Sequence, residues 1–147
     1  MKNSLFIFFF ISMSFLFIIV IDADTQNTFV FAPTSQLDWE ANGSSIFSSI
    51  SADGRYVAFT SDASNLVPND TNGMTDVFVY DRQMGQTTRV SVASNGTQAN
   101  GYSDGHPAIS ADGRYVAFTS NASNLIPNDT NGRYDVFVHD RQTEQTT

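Results

Sequence analysis

Ile50–Thr88 reads ISADGRYVAFTSDASNLVPNDTNGMTDVFVYDRQMGQTT, and Ile109–Thr147 reads ISADGRYVAFTSNASNLIPNDTNGRYDVFVHDRQTEQTT. The two stretches lie 59 positions apart and agree at 32 of 39 positions. Repetition at this period makes the fold an array of similar units, each burying apolar surface against a neighbour. Within a copy the pattern is that of short strands. Pro107–Ser110 reads as a first strand, and Asp112-Gly113 as a two-residue turn tolerant of positive φ. Arg114–Ser120 and Asp135–His139 follow, apolar on both faces, as in strands covered on each side. In the first copy Thr87–Val92 supplies a fourth strand, with Thr88, Val90 and Val92 alternating with Arg89 and Ser91 as an outer strand with one wet face.

Outward from the repeats, the connections are rich in Asn, Asp, Ser, Gly and Thr. The longest within a unit run from Ala63 to Thr75 and from Ala122 to Tyr134. The linker Ser94–Gly101 joins the units, and Ala41-Asn42-Gly43 is a weaker echo of its end. Thr28–Phe31 suits one further outer strand. The chain opens with Lys2 ahead of the 17-residue apolar run Leu5–Ile21, the layout of a secretory signal cleaved after Ala23 or of an uncleaved anchor. The expected division is a leader helix over 1–23, a leading segment over 24–44, and units over 45–103 and 104–147. Export to the periplasm, cell surface or medium follows from the leader.

Composition narrows the function. The chain of 147 residues has no Cys, so an exported domain must be held by packing and backbone pairing. A net charge of −8 argues against nucleic-acid partners, which call for clustered Lys and Arg. Only six such residues lie beyond the leader, and they are scattered. A membrane is met only through an uncleaved leader.

Four antiparallel strands per unit, apolar on both faces and repeated in tandem, suit blades of a β-propeller. The run Ser51-Ala52-Asp53-Gly54-Arg55-Tyr56-Val57-Ala58-Phe59, followed by Asp76-Val77-Phe78-Val79-Tyr80-Asp81, resembles the WD-like propeller repeat of the TolB type. Ser110–Phe118 and Asp135–Asp140 carry it again. The resemblance spans residues 45–147, departing at Ala52 and Ala111, where that repeat usually has Pro, and in its longer loop at 63–75. It implies an exported, non-enzymatic propeller that binds a protein or cell-envelope partner. Two blades are fewer than the roughly 4–8 of a closed ring, so further blades are expected from a longer chain or from self-association.

Few residues suggest chemistry, and no catalytic group is assigned. Asp70, Asn72 and Asp76, repeated as Asp129, Asn131 and Asp135, place alternating oxygens around a Gly turn and suggest half of a calcium loop. The spacing also fits an Asx turn ahead of the third strand, with Asp and Asn bonding backbone amides. Asp53 and Asp112 read as turn formers, and Arg55/Asp81 and Arg114/Asp140 as structural ion pairs. The copies differ mainly in loops and at strand ends, which makes Met74, Thr75, Arg133, Tyr134, Tyr80 and His139 candidates for a binding surface. The expected function is non-catalytic protein or ligand binding. The alternatives are a calcium-binding adhesion module, with calcium as the one candidate cofactor, and a propeller fragment of a larger prolyl-oligopeptidase-like hydrolase.

Overall fold

A computed structural model describes residues 7–12, 15–20 and 40–147. Two units divide the chain, Met1–Asp38 and Trp39–Thr147. In the first, β1 (Ile7–Ser12) pairs antiparallel with β2 (Phe15–Val20), with Ile7 opposite Val20 and Ser12 opposite Phe15. A leader helix is expected over 1–23, and the described residues within it pair as two strands. Ile, Phe and Val dominate both strands, and β-branched and aromatic residues favour the pleated form. The cleavage point after Ala23, the Thr28–Phe31 strand and Trp39 lie outside the described residues. No described helix is long and apolar enough to cross a membrane.

The second unit holds two four-stranded antiparallel sheets. β3 (Ser45–Ile50), β4 (Tyr56–Ser61), β5 (Asp76–Asp81) and β6 (Gln86–Arg89) pair in chain order. β7 (Ala108–Ile109), β8 (Tyr115–Ser120), β9 (Asp135–Asp140) and β10 (Gln145–Thr146) do the same. The central register is shared: Tyr56 faces Asp81 as Tyr115 faces Asp140, and Phe59 faces Phe78 as Phe118 faces Phe137. In both sheets these Phe rings have centroids 5.9 Å apart. The sequence thus repeats a packing arrangement as well as a string.

The Asp-Gly turn differs from the expected two-residue loop. Ser51 N donates to Tyr56 O, leaving four residues, Ala52–Arg55, in the bend. Gly54 N donates to Ser51 O at 2.9 Å, and Gly54 itself takes φ 70°. Asp53 keeps an ordinary φ and works through its side chain, accepting from Ser51 Oγ and from Arg55 N. Asp112 repeats this with Ser110 and Arg114.

The sheets share one core. Ala58, Val77 and Val79 from the first pack with Val116, Phe118 and Phe137 from the second, together with Leu125, Ala122, Val90 and Ala99. Thr60 Oγ1 donates to Gly105 O, and Ala52 N to Ala111 O at 3.0 Å, which ties the sheets by backbone as well. Burial is uneven. β5 is buried on both faces over Asp76–Val79, whereas β9 alternates, with Phe137 and His139 inside and Val136 and Val138 outside. Strands apolar on both faces are expected to be covered on both; among the described residues of this unit, β9 has a neighbour on one side only.

Candidate functional site: a polar cleft beside an Asp–Arg cluster

The long loop after β4 is held by amide clips. Asn42 Oδ1 accepts from Ser64 N, and Asn65 Nδ2 donates to Glu40 O. Asn100 and Asn124 repeat the clip with Ser123 N and Gln98 O. The echoed Ala-Asn-Gly is therefore structural. Its glycines, Gly43 and Gly101, lie so close to the backbone of Ala63 and Ala122 that a Cβ would collide.

Beyond the clip the loop reaches the residues suspected of binding calcium. Asn72 Oδ1 accepts from Met74 N, and its Nδ2 donates to Asp76 Oδ2 at 2.9 Å. Asp76 is fully buried, and its Oδ1 accepts from Ser91 Oγ at 2.6 Å. The guanidinium of Arg89 lies 3.3 Å from Asp76 and 3.5 Å from Asp70, and also donates to Gln98 Oε1 at 2.7 Å. The charge that these carboxylates face is an arginine of their own sheet. Burial pushes the Asp76 carboxyl above its usual range, against the lowering effects of Ser91, Asn72 and Arg89. This also corrects the expected wet face of the outer strand: Arg89 and Ser91 are polar yet buried, because Asp70 and Asp76 lie over them.

The second copy keeps the Asx geometry. Asn131 Nδ2 donates to Asp135 Oδ2 at 2.8 Å, and Asn131 Oδ1 accepts from Arg133 N. Asp129 is half-buried in the same loop. Among the described residues, no three His, Asp or Glu side chains converge as a metal site would require. The ion pairs of the hairpins are local to each sheet. Arg55 meets both oxygens of Asp81, and Arg114 those of Asp140. The Arg55 guanidinium holds the Asp81 carboxyl at about 2, and Arg114 lowers Asp140 further.

The six surface candidates do not form one patch. Met74 lines an open cleft of about 620 Å³ with Thr71, Thr97, Gln98, Asn100 and Asn124. Thr75 is half-buried and accepts from Ser103 N through its carbonyl. Arg133 and Tyr134 are exposed, and Tyr134 OH donates to Asp104 Oδ2 at 3.2 Å. Tyr80 lies partly exposed on the outer face of the first sheet. His139, its counterpart, is buried, with Nδ1 3.0 Å from Thr146 Oγ1. Gln98 and Arg89 are the residues that sequence reasoning missed. Gln98 links the cleft to the cluster, donating to Asn69 O at 2.6 Å. Both stand outside the duplicated stretch, so comparing the copies could not single them out.

The side chains that line the cleft are uncharged: amides, hydroxyls, one thioether and the methyl of Ala99. Such a surface can exchange hydrogen bonds with a polar, uncharged ligand. No protein-family model matches the chain, and no curated protein matches it.

Proposed function

We propose that the chain is a non-catalytic, exported module of TolB-like propeller type, which binds a protein or cell-envelope partner through the loop cleft beside Met74. The observation that carries this reading is the cleft's place: it opens where the long loop of one sheet meets the linker into the next. Two four-stranded antiparallel sheets stacked in tandem support the propeller reading, since such blades cover one another's faces. The resemblance of Ser51–Asp81 and Ser110–Asp140 to the TolB-type repeat supports the macromolecular partner, and the apolar run Leu5–Ile21 supports export.

Selection of displayed random peptides against the immobilised full chain tests the binding claim. Enriched peptides are expected to lose binding on Met74→Arg, which places in the first copy the residue that the second copy has as Arg133, with circular dichroism checking that the fold is kept. Peptides that fail to enrich, or that bind Met74→Arg unchanged, would remove the cleft from the account.

A further inference from the structure

We infer that the bare face of the second sheet is a docking surface for the first sheet of a second copy of this chain. The contact between the two sheets within one copy supplies the template. There, the Tyr56 ring lies between Arg55, 4.8 Å from its centroid, and Arg141 of the second sheet, at 4.3 Å. Arg141 is held in place by donating to Gly113 O, and Gly113 packs directly on the Tyr56 ring. Ala52 N donates to Ala111 O beside this contact. Val77 and Val79, on the same face as Tyr56, are completely buried.

The receiving parts of that contact recur 59 residues away, without a partner among the described residues of this unit. Tyr115 has Arg114 over one side at 4.8 Å and is 41% exposed. Val136 and Val138, the counterparts of Val77 and Val79, are 71% and 37% exposed. This is the receiving half of the contact without its insert. The insert exists at the other end of the molecule. Arg82 donates to Gly54 O at 2.9 Å, as Arg141 does to Gly113, and is exposed. Beside it, Val57 and Phe59, half-buried, and Tyr80, 38% exposed, correspond to Val116, Phe118 and His139, which fill the contact within one copy, while Phe78, like its counterpart Phe137, is already buried. The one departure is compensated: Tyr80 is larger than His139, and Gly85 replaces Glu144 next to it.

A second copy is therefore the occupant whose shape and chemistry the molecule already specifies. The contact is head-to-tail, so each bound copy still offers one receiving face and one insert, and association continues until a ring closes. This inference uses only the observed sheet-to-sheet contact and stands apart from the cleft reading.

The absence of Cys gives a clean test. Full-length Ala111→Cys and full-length Ala52→Cys are made separately, in mild detergent, then mixed under mild oxidation. Within one copy these two positions share a backbone hydrogen bond, so across two copies docked in the same way they come within disulfide reach. The mixed disulfide is expected to exceed the homodisulfides of either protein alone severalfold. Adding Val136→Glu to the Ala111→Cys partner should abolish the excess while leaving circular dichroism unchanged, because Val136 is exposed. Sedimentation of the parent chain should show mass above the monomer at micromolar concentration. A monomer throughout, or a mixed disulfide indifferent to Val136→Glu, overturns the inference and leaves that face to a following unit of a longer chain.

Discussion

Arg89 is the residue on which the polar interior turns. Its guanidinium compensates two buried carboxylates at once, and loss of one partner from such a group typically costs about 3–5 kcal/mol. Arg89→Ala should therefore lower the denaturation midpoint strongly at neutral pH. Asp76 sets the sign of the pH dependence. Burial raises its folded-state pKa above the unfolded value of 3.8, so the folded state takes up the proton first on acidification. The stability from this proton is full below the unfolded value and is lost as pH rises through the folded one. Arg89→Ala should accordingly recover part of its deficit in mild acid. The same variant separates the two ways of reading the loop. If Asp70, Asn72 and Asp76 are calcium ligands, millimolar calcium should raise the melting temperature of Arg89→Ala. The structural reading expects calcium to leave it unchanged.

A second residue-scale comparison uses the copies as each other's control. Gly85 and Glu144 occupy one position in the repeat and share one backbone conformation, at φ 66° and 57°. A side chain in this region costs about 1 kcal/mol or more for non-glycine residues. Nothing lies within 4 Å of the position where Gly85 would carry a Cβ, so Gly85→Ala isolates the backbone effect. It should destabilise by about 1 kcal/mol in urea titration. A neutral result would mean that the turn relaxes.

At the scale of the element, strands β4, β5, β8 and β9 were legible because their apolar runs are bounded by Asp-Gly turns and by loops rich in Asn and Gly. The ion pairs Arg55/Asp81 and Arg114/Asp140 were legible too, since each joins the start of one strand to the end of its partner. The first segment was not: a short apolar run of Phe and Ile has no period that separates helix from strand. Nor was the burial of Arg89 and Ser91, because the groups that satisfy them, Asp70 in the long loop and Asp76 at the start of β5, stand 13 to 19 residues earlier. The cleft is the least legible part, being assembled from two connections with no motif of their own.

The hairpin pairs and His139 both lose stability as pH falls, in different ranges. Asp81 and Asp140 have folded-state values below the unfolded 3.8, so their stabilisation is present above that value. It is lost as pH falls through the folded values, about 2 for Asp81. His139 acts nearer neutrality. Burial between the sheets lowers its pKa below 6.5, outweighing Glu144, whose Oε2 lies 3.5 Å from Nε2 and favours the charged ring. Its neutral form is what the fold accommodates, together with Thr146, which also donates to Val92 O just beyond β6. Stability from neutral His139 is thus complete above 6.5 and declines as pH falls through the folded value. His139→Gln should flatten the melting-temperature profile between pH 5 and 7. A profile as steep as that of the parent would assign the slope to other groups.

For the whole molecule, sequence identity between the copies conceals a difference in environment, and this is why burial could not be read from the residues. Val77 and Val136 are the same amino acid at the same repeat position, each opposite a Thr on the neighbouring strand. One is completely buried between the sheets and the other is 71% exposed. Burying a Val side chain is worth about 1.5–3 kcal/mol, so Val77→Ala should cost most of that, whereas Val136→Ala in the dissociated monomer should cost almost nothing. Because Ala58, Val77 and Val79 share their core with Val116, Phe118 and Phe137, the Val77 defect should also loosen the second sheet. Hydrogen exchange should show faster opening in β8 and β9 as well as in β4 and β5, within a single denaturation step. Equal losses at the two positions, or two separate transitions, would mean that each sheet is stable alone. That would contradict a fold whose units gain stability only from their neighbours. Raising the concentration until copies associate should then make Val136→Ala costly too, since the second copy would cover that side chain as the second sheet covers Val77.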